Sequence, residues 1–160
     1  MTHLLVLLLA LLIGVVAGLR SATAPAVIAW AALLHWINLR GTWVSWLDHP
    51  LLVTVLTALA VLELVADKLP VTPGRVATGS FLTRLVVGAF AGAVVGTAWG
   101  YPWGGLGAGV IGAASGTWGG HTARTRLTAA RGGHDLPIAL LEDMVAVLGG
   151  FAVAAMTAVV

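Results

Sequence analysis

The amino-acid sequence predicts an all-α, polytopic membrane protein of about six transmembrane helices, and three observations predict it. Of the 160 residues 59% are apolar and only 9% are charged, with a mean hydropathy of +1.02, against roughly 25% charged residues in a soluble domain. The apolar residues gather into six runs, each of a length that a bilayer-crossing helix of about 20 residues can use, with tilt or interfacial ends helping the shorter ones. The positive charge is one-sided. With six spans and both termini outside, Arg20, Lys68, Arg75, Arg84, Arg124, Arg126 and Arg131 fall on the cytoplasmic side and Arg40 alone falls outside, which is the bias that orients membrane helices.

Each element has its own justification. The run after Met1 lacks a basic leader region, so residues 4–19 read as the first span and not as a cleaved signal. Gly14 and Gly18 give that helix a small-residue face. Arg20 to Pro25 is a tight connection in which Ser21 or Thr23 is expected to cap a second helix, with Pro25 in its first turn. That helix is expected to run to Asn38, carrying His35 and Trp36, and residues 38–50 read as an interfacial loop with Trp43 and Trp46. Leu51 to Asp67 is the third helix, stopped by Pro70 and Pro73. Residues 80–99 form the fourth, with Gly88, Gly92, Gly96 and Gly100 at four-residue spacing. Tyr101-Pro102-Trp103 is a turn, and Gly104 to Gly120 is the fifth helix, with Gly112, Gly116 and Gly120 as a second ladder. Glycine at this density argues against helix in water, but in lipid the backbone must bond to itself and small residues let helices approach closely. His121 to His134 reads as a polar, basic loop, and Leu136 to Ala158 as the sixth span. The same orientation gathers Trp36, Trp43, Trp46, Trp99, Tyr101 and Trp103 at the outer interface as an aromatic belt.

The whole chain, 1–160, reads as one transmembrane domain with candidate halves 1–75 and 76–160. Ile13 to Gly18 echoes Val87 to Gly92, and His49-Pro50-Leu51 echoes His134-Asp135-Leu136, which suggests an inverted three-plus-three repeat of the kind that places transport sites where two halves meet.

The acids carry the chemistry. Glu63 and Asp67 are four residues apart and share one helix face at the end of an apolar segment. Glu142 and Asp143 lie about 10 Å along the sixth helix at about 1.5 Å per residue. Ionisable groups inside a span are functional candidates, and each must pair with a base, hold a proton, or face water or a cation. Two readings follow. In one, Glu63, Asp67, Glu142 and Asp143 bind a small ion or carry protons, with Arg20 and Lys68 as gate or counter-ion. In the other, Glu63 or Asp67 is closed on Arg20 as a structural ion pair, with Lys68 snorkelling to the interface.

The remaining chemistry is sparse. Zero cysteines exclude disulfides and thiol catalysis. His35, His121 and His134 have no metal-ligand spacing, and Ser21 and Ser115 sit in no nucleophile or phosphate-loop motif. Neither catalytic residue nor cofactor is expected, and the sequence reads as a non-enzyme. The net charge of +2 arises from scattered topology charges, not a nucleic-acid surface. Arg124, Arg126 and Arg131 could also meet anionic lipid.

Gly18-Leu19-Arg20-Ser21 closing the first helix, and Glu63-x-x-x-Asp67-Lys68-x-Pro70 closing the third, resemble the bacterial membrane-protein family catalogued as domain of unknown function 4126. The resemblance covers nearly the whole chain. It implies a small integral membrane protein and marks Arg20, Glu63, Asp67, Lys68 and Pro70 as matching positions. A looser similarity joins Glu63 to Leu69 to cation exchangers bearing Glu-x-Gly-Asp-Lys/Arg-Thr/Ser, from which this chain departs at the spacing, at Ala66 and at Leu69. The expectation is an inner-membrane, multi-pass homo-oligomer in contact with membrane lipids that moves a small ion or solute.

Overall fold

The computed structural model describes residues 2–68 and 77–159. They form six α-helices and no strand: α1 (His3–Leu19), α2 (Thr23–Leu33), α3 (Pro50–Ala66), α4 (Thr78–Ala98), α5 (Pro102–Ala130) and α6 (Leu136–Val159), with a single 3-10 turn at Ser45–Asp48. Two of them, α4 and α6, are long and apolar enough to cross a membrane, while α1, α2 and α3 are shorter apolar helices. Expected positions 70, 73 and 75 (Pro70, Pro73, Arg75) lie outside the described residues.

Helix α5 packs across α1 and α4 on its glycines. A methyl group added at Gly109 would strike the Gly88 carbonyl, one at Gly105 the Gly92 carbonyl, and one at Gly112 or Gly116 the carbonyl of Leu11 or Val15. Reciprocally, Gly14 and Gly18 of α1 lie against Gly109 and Ala113, and Gly92 of α4 against Gly105. Backbones this close gain dispersion contact along the whole crossing. Gly88, Gly92, Gly96, Gly112 and Gly116 of the two ladders therefore serve the packing expected of them, while Gly100, with a φ of +80°, makes the turn into α5.

Successive helices run in alternate directions, so the bundle has two unlike ends. At one, the His3 ring packs at a tilt against Tyr101 with centroids 4.3 Å apart, Trp43 and Trp46 pack on Phe90, and the Trp43 indole N–H donates to Thr97 at 3.1 Å. At the other lie Arg20, Asp67, Lys68, Arg84, Arg124 and Asp143, together with a stacked pair, Phe81 and Trp118, that the expected belt did not include. Outward faces of α3 and α6 are apolar: Leu51, Leu62, Val65, Leu140, Met144 and Leu148 are each more than half or nearly half exposed.

Two helix ends differ from expectation, each for a local reason. Helix α2 stops at Leu33, not Asn38, because His35 takes a left-handed φ of 59° and Trp36 N–H returns to the Ala31 carbonyl at 2.8 Å, closing the helix. The segment beyond it is folded onto the bundle and not simply interfacial, with Ile37, Leu39, Val44 and Leu47 buried. Helix α5 continues through the supposed loop to Ala130, since Thr122 to Ala130 contains no glycine or proline, and ends where Gly132 and Gly133 take positive φ. These boundaries leave the three-plus-three repeat without support: α2 has 11 residues and its would-be counterpart α5 has 29. Moreover, α5 packs on α1 and α4, whereas α2 is largely buried and packs on α3 and α6.

Candidate functional site

Arg20 is where α1 ends. Its backbone turns to an extended conformation, with its N–H still bonded to the Val16 carbonyl at 2.8 Å, and its side chain swings inward to become fully buried. The guanidinium pairs through one nitrogen with Asp67 at the end of α3 and through the other with Asp143 of α6 at 2.5 Å. Lys68 joins from the same end of α3, pairing with the second oxygen of Asp143 and donating to the Leu64 carbonyl at 2.6 Å. Asp143 is thus held between two cations, and Lys68 points inward to it and does not merely snorkel. Three helices meet on these four side chains.

Glu63, one turn before Asp67, does a different job. Its carboxylate accepts from the Ser21 and Ala22 backbone N–H groups at 2.8 and 2.7 Å and from the Ser21 hydroxyl at 2.6 Å. These are the free donors at the start of α2, whose first positions offer no side-chain cap of their own. The cap expected from Ser21 or Thr23 is supplied by α3 instead, as an anion at the positive end of a helix dipole.

A family model described as Domain of unknown function (DUF4126) matches residues 7–160. The chain belongs to the DUF4126 family. No curated protein and no solved structure matches it. The matched region of this DUF4126 protein includes every residue of the charged end described above.

Arg84 is the member of that end that sequence reasoning missed, having been read as one more topology charge. It is buried, about a turn and a half into α4, and donates to the Gly18 and Leu19 carbonyls at 2.8 Å each, while its other terminal nitrogen lies 4.0 Å from Glu63. The Thr117 hydroxyl approaches the same Gly18 carbonyl at 3.3 Å. Arg84 therefore closes the C-terminus of α1 as Glu63 closes the N-terminus of α2. The available signal was its apolar setting: the rule that flags an acid inside a span flags a base equally.

Glu142 does not join Asp143. Consecutive helix positions point about 100° apart, and Glu142 faces α5, 3.6 Å from Arg124, which is itself held by Asp135 through two bonds of 2.8 and 2.5 Å. The four predicted acids thus divide into a cluster of Glu63, Asp67 and Asp143 and a separate α5–α6 pair containing Glu142.

Two features define what the cluster can do. Its charges cancel, with Glu63, Asp67 and Asp143 against Arg20, Lys68 and Arg84. A cleft of about 540 Å³ reaches it, lined by Ser21, Glu63, Asp67, Ser80, Thr83 and Arg84. No group of three or more His, Asp or Glu side chains suited to a metal ion occurs among the described residues.

Proposed function

We propose that this DUF4126 protein is a multi-pass protein of the bacterial inner membrane, with both termini outside, that moves a small ion or solute. The cleft serves as its cytoplasmic vestibule and the Arg20–Asp67–Asp143–Lys68 cluster as its closed gate. The observation that carries this reading is that the cleft leads to Glu63 and Asp67, and that Asp67 is held by a fully buried arginine. Burying ions costs several kcal/mol each, and apolar packing would join the helices as well or better. A mere fastener therefore has little reason to be ionic, whereas a gate needs contacts that a competing charge can open. The six-span reading draws on the alternating helices, the apolar outer faces of α3 and α6, and the aromatic and basic ends. Those outer faces are also the surfaces on which membrane lipids and a second copy would lie.

A second reading is favoured by the charge balance. With every acid matched by a base, the cluster is a permanent lock that sets helix positions, and the protein transports nothing.

The test is flux in liposomes of wild type and of Asp67→Asn and Glu63→Gln, over a panel of monovalent and divalent cations and small organic ions. Flux by wild type that is altered in Asp67→Asn while gel filtration remains normal supports the gate. Absence of flux for every solute, together with loss of folding in the variants, gives the lock.

A further inference from the structure

The opposite end of the bundle holds a second pair of charges, and these do not meet. Arg40 and Asp48 line one pocket of about 280 Å³, together with His35 and Asn38 and the buried chain of Ile37 and Leu39. Every other acid among the described residues has an ion pair; Asp48 has none, and Arg40 has no acidic partner within 4.0 Å. The Asn38 side-chain Oδ1 accepts from the Arg40 backbone N–H at 3.1 Å, which leaves the side-chain amide donors of Asn38 uncommitted. The pocket thus presents donors on the Arg40 side and a carboxylate acceptor at Asp48, with the distance between them unbridged.

His35 adds an independent sign. It occupies the left-handed position that closes α2, with φ 59°, where glycine is the usual residue and an imidazole is tolerated at a cost. Strained positions cluster at binding sites, and this one puts a ring with a donor and an acceptor on the pocket wall.

We infer that the His35–Asn38–Arg40–Asp48 pocket binds a small zwitterion, an oxyanion held by Arg40, Asn38 and His35 and an ammonium group held by Asp48. The volume suits a headgroup-sized molecule. Phosphoethanolamine has this chemistry, either as a free solute or as the headgroup of phosphatidylethanolamine at the aromatic interface beside Trp36, Trp43 and Trp46.

The experiment has two arms. In maltoside micelles, intrinsic tryptophan fluorescence follows titration with O-phosphoethanolamine, with inorganic phosphate and ethanolamine as separate controls. In phosphatidylglycerol nanodiscs with and without phosphatidylethanolamine, retained lipid is read by native mass spectrometry. Saturable binding in the first arm identifies a soluble ligand, and selective retention in the second alone identifies the lipid; both support the site. Arg40→Gln and Asp48→Asn should each weaken binding by about tenfold or more. His35→Gly should weaken binding while the melting temperature holds or rises, because glycine fits the left-handed position better; a merely structural histidine would give no binding loss. Failure of folded wild type in both arms, equal binding of phosphate alone, or wild-type affinity in both charge variants overturns the inference.

Discussion

Replacing Arg20 by glutamine tests the logic of the charged end most directly. The side chain is fully buried and pairs with both Asp67 and Asp143, whose side chains are only 14% and 12% exposed. Glutamine removes the positive charge and leaves two nearly buried carboxylates, of which Asp143 keeps its pair with Lys68. Breaking a buried pair from one side costs about 3–5 kcal/mol, because an uncompensated charge remains. The double change Arg20→Met, Asp67→Asn removes one charge of each sign and leaves Asp143 paired with Lys68, and pairs removed together are often close to neutral. The single variant should therefore be destabilised by about 3–5 kcal/mol and the double by well under half as much. Reversible unfolding by SDS in mixed micelles, followed by circular dichroism, measures both, with exposed Arg126→Gln as a control expected within about 0.5 kcal/mol of wild type. A single variant as stable as the control refutes the reasoning. So does a double variant as unstable as the single one, since the loss would then lie in packing and not in stranded charge.

Other consequences can be checked by the same unfolding assay. Arg84→Met strips two charged hydrogen bonds, both from one guanidinium nitrogen, from the end of α1 and should cost about 3 kcal/mol, with Arg84→Lys, whose ammonium is also a multiple donor, restoring part of it; Arg84→Met as stable as wild type would contradict the capping role. Glu63→Ala should cost about 2 kcal/mol by uncapping α2, and stability unchanged within error would mean that α2 does not need its cap. Gly109→Ala should cost about 1–3 kcal/mol through collision with the Gly88 carbonyl, whereas Gly107→Ala, which meets nothing within 4 Å, should be neutral or stabilising; equal effects would refute the packing at α5. Because the chain has no cysteine, single cysteines report sidedness cleanly. An impermeant thiol reagent should label Ser45→Cys in intact spheroplasts and Arg126→Cys only after permeabilisation, and labelling of both from outside would refute the orientation.

Helix positions were largely legible because each helix is bounded by local signals. Pro50 starts α3, Gly100 and Pro102 divide α4 from α5, and the apolar runs of α4 and α6 carry their own lengths. The errors fell where a boundary depends on something other than apolar composition. Helix α5 outruns its apolar part because Arg124, Thr128 and Asp135 tie its polar end to the start of α6, and a search for apolar runs is blind to that. The early end of α2 turns on a single left-handed histidine, a conformation that histidine adopts only in a minority of cases.

The candidate site divides in the same way. Spacing alone places Glu63 and Asp67 on one face of α3, and apolar surroundings alone mark Asp143 and Arg20 as buried charges that require partners, because an isolated ion in a low-dielectric interior is prohibitively costly. Sequence therefore determined that these charges must be compensated, and which residues were available to do it. It could not determine who pairs with whom. That Asp67 takes Arg20 while Glu63 takes the start of α2, that Asp143 is shared by Arg20 and Lys68 while Glu142 turns to Arg124, and that Arg84 closes α1, all depend on how α1, α4 and α5 cross on their glycines. A salt bridge is decided by separations of a few ångströms between side chains distant in sequence, and only the tertiary packing of the helices sets those separations.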